Sequence, residues 1–445
     1  MTTDRTSYAD RTLVRLIDDL ADAHTPDYLE AAIERASSRP QRPSWMFPER
    51  WLPMADIASR PAFAPRLPWR TIGVALAVLA LVIGAALVYV GSHQTRLPVP
   101  FGPAANGLIP YTIDGDIYLG DPVTGKTRLL VGGPGADFLP QTSPDGTKVA
   151  FNREVGGGAT NVVPVDLYVV NADGSGLVRI NQKPIADWRW VSWSPDGSQL
   201  ALVQRVMFTG AGCAMSFCFV NQLALLDAAG SGKAEHFAAA DGLDFVQYRP
   251  PDGREILFRA PVEGTYHLLV MNADGTNVRT LAKPATQGDS LDLSGAVYSA
   301  DGSRIFYNRW TPDASFGEPG CCQLFVMNAD GSDQHKFIPN TGDTWDGSAA
   351  VSPDGTRVAF WHNLPNRSTH RVTVIRADGT GQPIETGPDL PGTAHWVWSP
   401  DSTKILMYPD DGSSASAYLL DPDGGQWTTA PWTSDPDLDW QRTAP

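Results

Sequence analysis

Two short motifs alternate along the chain from about residue 107 to residue 441, and they constrain its fold more than any other feature. The first places a turn before a strand-like run and recurs as SPDGTKVAF (143–151), SPDGSQLAL (194–202), PPDGREILF (250–258), SADGSRIFY (299–307), SPDGTRVAF (352–360) and SPDSTKILM (399–407). The second recurs as DIYLGDPVTGKTRLL (116–130), DLYVVNADGSGLVRI (166–180), QLALLDAAGSGKAEH (222–236), HLLVMNADGTNVRTL (267–281), QLFVMNADGSDQHKF (323–337), RVTVIRADGTGQPIE (371–385) and SAYLLDPDGGQWTTA (416–430). A period of roughly fifty residues indicates a repeat architecture.

Each repeat predicts four strands. In SPDG the proline presets φ, the aspartate bonds back to the backbone and the glycine adopts the left-handed conformation. Apolar and polar residues then alternate, as in Lys148–Phe151, which is a strand pattern. NADG makes a second tight turn between strands such as Leu167–Asn171 and Leu177–Ile180. Four-stranded units repeated around an axis are the blades of an all-β propeller.

The copies predict seven blades, with six as the alternative if the looser copies are misread. The first blade has Leu108–Ile113 as its second strand, but no first strand precedes it. Pro436–Gln441 (PDLDWQ) resembles the start of a first strand, Ala186–Trp190 (ADWRW). We therefore expect the C-terminal strand to complete the first blade and close the ring, which would remove open sheet edges.

These repeats resemble the TolB-type, WD-repeat-like propellers of bacteria over about residues 107–441. The resemblance implies the propeller fold, and it implies little about function because unrelated sites occur on one fold. Propellers of this family in the TolB translocation system have six blades and are soluble and periplasmic. This chain differs in its predicted seventh blade and in an apolar run that precedes the repeats.

That apolar run, Thr71–Ser92, contains no charged residue. At about 1.5 Å per residue, a helix of this length crosses the roughly 30 Å hydrocarbon core of a bilayer. Arginines flank it unequally, four before it and one after it: Arg50, Arg60, Arg66 and Arg70, then Arg96. The positive-inside rule predicts a cytoplasmic N-terminus and an uncleaved signal-anchor. The predicted domains are 1–70 (cytoplasmic), 71–92 (transmembrane helix), 93–106 (linker) and 107–441 (propeller in the cell envelope, outside the cytoplasm).

The predicted cytoplasmic segment contains two short helices and then a stretch rich in proline and aromatic residues. We expect Trp45, Phe47 and Trp51 to anchor a cytoplasmic partner within residues 1–54. A membrane-surface or disordered stem is an equal alternative. The layout resembles membrane-bound anti-sigma regulators, although residues 1–70 lack the cysteines of their zinc signature.

The net charge of −15 lies in the part of the chain after residue 70, because the first seventy residues are neutral overall. An acidic outer domain argues against nucleic acid, whose phosphates must be neutralised by Lys or Arg. Cations and basic peptides are the expected complements.

Catalytic motifs are missing from the sequence. Gly120–Thr127 matches the Walker A pattern, but it aligns with the NADG hairpins and is predicted to be a turn. There is no G-x-S-x-G elbow and no H-E-x-x-H helix. We therefore expect no catalytic residue, no metal and no cofactor, and we expect that the chain is not an enzyme.

Four cysteines are disulfide candidates, all on the outer side of the predicted span. Cys213 and Cys218 lie between the second and third strands of the third blade, and Cys321 and Cys322 at the same place in the fifth. An even number outside the cytoplasm suits disulfides. Cys213–Cys218 is the simplest pairing, and a vicinal Cys321–Cys322 ring, bridges between the two pairs or a four-thiolate zinc site are alternatives.

Six aspartates are candidate ligand-binding residues. Five of them stand eight or nine residues before the turn aspartate of their blade, and the sixth is in the closing strand: Asp137, Asp187, Asp244, Asp292, Asp346 and Asp439. If the first strands are innermost, these carboxylates would surround one mouth of the channel and attract a cation or a basic peptide. The alternative is that each caps the turn entering its strand.

The predicted function combines these features. Short, uniform turns occupy one rim of the propeller and variable loops the other, and variable loops on a rigid scaffold are where recognition usually occurs. We expect a membrane-anchored, non-enzymatic protein that binds or senses a protein, peptide or small ligand of the cell envelope. The alternative is an anti-sigma-like transmembrane regulator.

Overall fold

The computed structural model describes residues 76–80, 101–156, 164–182, 185, 187–208, 218–231, 234–240, 243–284, 290–311, 321–338, 345–363, 370–390, 394–409, 415–434 and 438–444. The chain divides into two compact units, residues 1–93 and 94–445. In the first unit the described residues, 76–80, are helical and exposed to solvent. No helix in the described ranges reaches the length and hydropathy that a bilayer crossing requires.

The remainder of the predicted membrane span 71–92 lies outside the described residues. So does the predicted cytoplasmic segment, residues 1–70, with its candidate anchors Trp45, Phe47 and Trp51. The membrane helix and the cytoplasmic partner site therefore stay predictions.

The second unit is all-β. Its strands through the fourth blade are β1 (Ala105–Asn106), β2 (Ile109–Ile113), β3 (Asp116–Gly120), β4 (Thr127–Val131), β5 (Asp137–Thr142), β6 (Lys148–Glu154), β7 (Val165–Asn171), β8 (Val178–Arg179), β9 (Asp187–Trp193), β10 (Gln199–Phe208), β11 (Cys218–Asp227), β12 (Ala234–Ala240), β13 (Asp244–Tyr248), β14 (Glu255–Val262), β15 (Thr265–Asn272) and β16 (Arg279–Ala282).

The remaining blades follow the same plan. Their strands are β17 (Ser290–Tyr298), β18 (Arg304–Thr311), β19 (Cys321–Asn328), β20 (His335–Lys336), β21 (Trp345–Val351), β22 (Arg357–Asn363), β23 (His370–Arg376), β24 (Ile384–Leu390), β25 (Ala394–Trp398), β26 (Ile405–Pro409), β27 (Ala415–Leu420), β28 (Thr428–Ser434) and β29 (Arg442–Thr443).

Blades 2 to 7 are antiparallel sheets of four consecutive strands, from β5–β8 to β25–β28, and blade 1 contributes β2–β4. We call the first strand of each four-stranded sheet the inner strand, and in blade 1 the closing segment 438–443 takes that place beside β2. The seven-bladed prediction is confirmed, and the six-bladed alternative is wrong because the looser copies also form blades.

The SPDG motif folds as predicted and connects the inner strand to the second strand. In blade 2, Gly146 donates its N–H to Ser143 O, and Asp145 Oδ1 accepts from Thr147 N at 3.0 Å and from Ser143 Oγ at 2.6 Å. Gly146 has φ +67°, and a Cβ there would lie 1.8 Å from the carbonyl oxygen of Arg442. A glycine is required at this point by both the turn and the close approach of the C-terminal segment.

The hydrophobic core is divided among the junctions between blades. Seven clusters of buried side chains each join two neighbouring blades, such as Leu167 of blade 2 with Leu202 of blade 3. One of them joins the last blade to the first, where Tyr408 and Trp432 pack with Ile109 and Trp440. Each blade is stabilised by burying both faces against its neighbours, so a missing junction would expose two apolar faces.

The chain ends close the ring, as predicted, by an antiparallel pairing that we call the seam. Leu438 bridges Tyr111, Gln441 N donates to Leu108 O at 3.0 Å, and Gly107 N donates to Gln441 O at 2.8 Å. β1 also pairs with β29. The propeller therefore begins before residue 107 and ends after residue 441, the limits predicted from the sequence. The seam therefore spans residues 105–111 and 438–443.

The strands on the cysteine-bearing side are longer than the motifs indicate. The segment 205–221 contributes its first and last residues to β10 and β11, which pair from Gln199↔Asp227 out to Phe208↔Cys218. Three apolar residues, Val206, Met207 and Phe208, follow the SPDG motif of this blade and belong to β10, so the ladder extends further than the motif itself.

Replacement of Trp440 by alanine tests the seam. The Trp440 side chain is buried in the junction of blades 7 and 1, and its Nε1 donates to Gly107 O. We expect Trp440→Ala in the full-length protein to lower the free energy of unfolding by about 3–5 kcal/mol. The measurement is urea unfolding followed by far-UV circular dichroism.

Trp427→Ala is the matched control, because that indole is 42% exposed. We expect it to cost roughly 1 kcal/mol or less. Equal losses for the two variants would contradict the assigned role of Trp440 in the seam.

Candidate functional site

Five of the six candidate aspartates lie at or near the start of inner strands. Asp137, Asp187 and Asp244 are the first residues of β5, β9 and β13, whereas Asp346 is second in β21 and Asp292 third in β17. Because every blade repeats the same strand order, these five positions lie toward one end of the channel.

Three of these carboxylates bond to a basic side chain on the second strand of their own blade. Arg153 Nε and Nη2 donate to the two oxygens of Asp137 at 2.6 and 2.7 Å. Arg259 Nε donates to Asp244 at 2.7 Å, and its Nη2 donates to the other oxygen. In each pair the two residues are directly opposed across the antiparallel ladder.

The third pair has an imidazole in place of the guanidinium. His362 Nδ1 lies 2.7 Å from Asp346 Oδ1, and the two residues are again opposed in the ladder. The rings of His362 and Phe360 form a T-shaped pair, with 5.9 Å between their centroids. Both side chains of the pair are largely buried. A carboxylate fixes the orientation and tautomer of a histidine in this arrangement.

The pairs also connect neighbouring blades. Arg259 Nη1 donates to Leu291 O of blade 5 at 2.6 Å, and Asn308 Nδ2 of blade 5 donates to Asp346 O of blade 6 at 2.7 Å. The two hydrogen bonds that Arg153 donates to Asp137 raise the pKa of its guanidinium. These carboxylates are therefore largely compensated inside the protein, which weakens the predicted attraction for a cation at this end of the channel. Whether the residues bind a ligand stays a prediction.

Asp439 does not lie with the other five aspartates. Its Oδ2 accepts from Thr142 N at 2.7 Å and from Thr142 Oγ1 at 2.6 Å, and Thr142 is the last residue of β5. The carboxylate is thus at the opposite end of the inner strands, where it connects the closing strand to blade 2. Burial raises its pKa.

The register of the closing strand explains the difference. Side chains one residue before the end of other inner strands make the same type of contact: Ser192 Oγ accepts from Tyr248 N, and Gln247 Oε1 from Tyr298 N, both at 3.0 Å. Asp439-Trp440 therefore corresponds in position to Ser192-Trp193 at the end of β9. The sequence comparison of Pro436–Gln441 with Ala186–Trp190 had instead placed it at Asp187-Trp188, at the start of that strand.

Sequence reasoning missed the basic partners. Arg153 follows the turn aspartate Asp145 by eight residues, and His362 follows Asp354 by the same spacing. Arg259 follows Asp252 by seven. A basic residue thus recurs seven or eight residues after the turn aspartate, near the end of the second strand. In an antiparallel pair the end of the second strand lies opposite the start of the first, so this spacing indicated that the basic residues face the aspartates.

The cysteines are placed only in part. Cys218 is the first residue of β11, and Cys321 and Cys322 are the first two of β19, so these three lie in strands and not in loops. Cys213 lies outside the described residues. The disulfide pairing stays a prediction. In the described ranges, no cluster of three or more His, Cys, Asp or Glu side chains could hold a metal ion.

A cavity of about 430 Å³ lies at the seam, and we call it the seam cavity. Blade 1 contributes its turn after β3, the closing segment contributes both of its strands, and blade 7 contributes the opposite wall. The lining residues are Asn106, Gly107, Leu108, Asp121, Pro122, Val123, Lys404, Leu419, Gln426, Thr428, Trp440, Gln441 and Thr443.

An interruption of a repeated hydrogen bond accompanies this cavity. In blades 2 to 6 an alanine in the turn after the third strand donates its N–H to the SPDG turn of the same blade, as in Ala172 N to Thr147 O at 2.7 Å. Blade 1 has Pro122 in the corresponding turn, which has no N–H to donate. Its SPDG turn is replaced by the two chain ends, β1 and β29. Blade 7 has Pro422 at the same place, so neither of the two blades that line the cavity can form this hydrogen bond.

The Walker A match forms one wall of the cavity and is a hairpin turn, as predicted. Gly120 ends β3, Thr127 begins β4, and Asp121 N donates to Lys126 O at 2.9 Å. A phosphate-binding loop needs a helix after it, whose N–H groups face the phosphates. The strand found here provides no such site.

No protein-family model and no curated protein matches this chain in sequence. Solved structures do resemble it. An oligogalacturonate lyase in complex with manganese superposes with TM-score 0.51 and 17% identity, over 74% of this chain and 89% of that chain. Prolyl oligopeptidase B from Galerina marginata gives 0.51 and 10%, over 76% of this chain and 52% of that chain.

TolB-like propellers are also among the structural neighbours. A putative TolB from Agrobacterium tumefaciens has 19% identity over 68% of this chain and 97% of that chain, with TM-score 0.42. At these identities the likenesses show the β-propeller fold alone.

The expectation that the chain is not an enzyme needs correction. Proteins with this fold include an oligogalacturonate lyase and a prolyl oligopeptidase, which are enzymes. The propeller fold and the missing sequence motifs therefore do not exclude catalysis, because a propeller can hold catalytic residues at positions that no short motif marks.

The raised pKa of Asp439 predicts a pH dependence of stability. The folded state binds the proton of the Asp439 carboxyl more tightly than the unfolded chain does. Protonated Asp439 therefore stabilises the fold fully below the pKa of the unfolded chain, about 4, and this stabilisation is lost as the pH rises through the pKa of the folded state. We expect the midpoint of thermal unfolding of the wild type, relative to that of Asp439→Asn, to decrease as the pH is raised above about 4.

Asp173→Asn provides a control of opposite sign. Hydrogen bonds from Ser175 lower the pKa of Asp173, so its contribution is present above the unfolded pKa and is lost as the pH falls. The wild type relative to this variant should gain stability as the pH rises. The same slope for both variants would contradict the assignment for Asp439.

Proposed function

We propose that this chain is a membrane-anchored β-propeller of the cell envelope that binds a protein, peptide or small ligand outside the cytoplasm. The observation that supports it best is the contrast between the two rims of a closed ring. A rigid scaffold that carries variable connections on one side is a common arrangement for recognition.

The rim with the SPDG and NADG turns, which we call the turn rim, is uniform. The connections from the inner to the second strand have five residues in blades 2, 3, 5 and 6, as in 143–147, and six in blades 4 and 7, as in 249–254. They differ by one residue at most, and their side chains are bonded within the turns, as in Ser352 Oγ to Asp354 Oδ1 at 2.5 Å. Such turns leave few side-chain groups available for a partner.

The opposite rim, which we call the loop rim, varies in the connections between second and third strands. They range from 114–115 in blade 1 and 263–264 in blade 4 to 155–164, 209–217 and 312–320 in blades 2, 3 and 5. Met215, Phe217 and Phe316 provide apolar groups within the longer connections. We assign partner recognition to the loop rim on these grounds.

The placement outside the cytoplasm rests on the sequence before the ring. The uncharged run 71–92 is long enough to span a bilayer, and arginines are concentrated before it. An acidic ring that is exported would favour basic or neutral partners over nucleic acid.

In-cell photo-crosslinking tests both parts of this proposal. We would replace Phe217, within the connection 209–217, by p-benzoylphenylalanine in the full-length protein carrying alkaline phosphatase after Pro445. Expected results are an active phosphatase, which requires export, and discrete covalent adducts after irradiation of intact cells.

Val278 is the matched control position, because it is 56% exposed and lies in a turn of blade 4 on the turn rim. Adduct yields there should be at least tenfold lower. An inactive phosphatase would contradict the export of the ring, and equal adducts from both positions would contradict recognition by the loop rim.

A further inference from the structure

We propose that the seam cavity is a binding site for a neutral, polyhydroxylated ligand of about disaccharide size. The site lies on the turn rim, between blades 7 and 1, and is separate from the loop rim to which partner recognition is assigned. The inference therefore goes beyond the proposed function and does not depend on it.

The size of the cavity suits a small ligand. Its volume of about 430 Å³ falls within the roughly 300–1,000 Å³ that is typical of small-molecule sites. It lies where two blades and both chain ends meet, and ligand sites prefer such junctions between structural units. Both blades that line it have a proline in place of the donating alanine, Pro122 in blade 1 and Pro422 in blade 7, so the Ala-type contact is missing on both sides of this junction.

The charged groups of the lining already have partners, which argues against an ionic ligand. Lys404 Nζ lies 3.5 Å from Asp421 Oδ2. The Asp121 carboxylate accepts from Val123 N at 2.8 Å, from Thr124 N at 3.1 Å and from Thr124 Oγ1 at 2.7 Å, and these bonds lower its pKa. Neither charge requires a counter-ion from a ligand.

The other polar groups of the lining suit hydroxyl groups. Gln426 presents an amide and Thr428 a hydroxyl. The remaining amides and hydroxyl of the lining have partners within the protein: Asn106 Oδ1 accepts from Asp401 N at 3.1 Å, Gln441 Oε1 accepts from Leu108 N at 3.2 Å while its Nε2 donates to Gly146 O at 2.6 Å, and Thr443 Oγ1 donates to Ala105 O at 3.1 Å. Amides and hydroxyls both donate and accept hydrogen bonds, as sugar hydroxyls do. A polyhydroxylated ligand can therefore hydrogen-bond to Gln426 and Thr428 together.

The apolar part of the lining fits the carbon face of a sugar ring. Leu108 and Leu419 line the cavity together with the buried indole of Trp440, whose Nε1 donates to Gly107 O at 3.3 Å. With that donor occupied, the indole offers the cavity its apolar surface. The combination of an apolar surface with a few convergent polar groups is characteristic of small-molecule sites.

Binding at this place would act on ring closure. The lining comes from blade 1, from blade 7 and from both strands of the seam, so a ligand would contact all the parts that must separate when the ring opens. A ligand that binds only the closed state raises the apparent stability by mass action.

Saturation-transfer NMR with the full-length protein in lipid nanodiscs tests the proposal. The probes are trehalose, maltose, cellobiose and N,N′-diacetylchitobiose, and sugar-based detergents are avoided because they would compete. We expect saturation transfer to at least one of the four, together with a higher midpoint of thermal unfolding in its presence.

Two tryptophan variants locate the site. Thr428→Trp places an indole in the cavity, and we expect it to weaken binding at least tenfold. Thr429→Trp, at the neighbouring exposed position whose side chain points to the other face of β28, should bind as the wild type does.

Three results would overturn the proposal. They are no saturation transfer to any of the four sugars, equal binding by the two tryptophan variants, and binding of cellobiouronic acid in place of the neutral sugars. Since the readout does not involve the loop rim or export, it can fail or succeed independently of the crosslinking experiment.

Discussion

The pairing of the two chain ends is the interaction on which the rest of the structure depends. Without residues 438–443, blade 1 would lack its inner strand, and β2 would present unpaired N–H and C=O groups toward the channel. An open edge of this kind is both unstable and prone to pair with other chains. The junction that buries Ile109, Tyr408 and Trp432 would also be lost, because Trp440 is part of the same cluster.

The closure involves a third element, blade 2. Asp439 connects the closing strand to Thr142 at the end of β5, so the C-terminal segment is held by two blades and not by one. Gly146 adds a close approach on the same side, since its turn packs against Arg442. The seam therefore contacts the turn of a neighbouring blade as well as blade 1. In blade 1 the two chain ends take the place of a continuous hairpin, and the seam cavity lies beside them.

Much of the fold could be predicted because its information is local. SPDG and NADG specify turns within four residues, and a turn between alternating strands fixes the pairing of those strands. The blade count and the closing strand followed from counting these turns. The register of the closing strand could not be predicted in this way, because Asp439-Trp440 can be aligned with Asp187-Trp188 or with Ser192-Trp193. Only a contact between residues some three hundred positions apart, that of Asp439 with Thr142, selects the second alignment.

The candidate site was less predictable for the same reason. The aspartates at the strand starts were recognisable as a set, but their partners Arg153, Arg259 and His362 belong to the next strand and become visible only when the ladder is known. The seam cavity has no local motif at all. It arises from Pro122 in one blade, Lys404 in another and the two chain ends together, and no short stretch of sequence contains that combination.

Hydrogen–deuterium exchange of the seam amides tests the central claim most directly. Gly107, Asp439 and Gln441 donate their N–H groups across the seam. If the ring is closed by its own ends, these amides should exchange as slowly as amides in the middle of a blade, such as Phe258 in β14, because both then require the ring to unfold. Exchange at the seam at the rate of an unstructured peptide, while Phe258 stays protected, would contradict the closed ring.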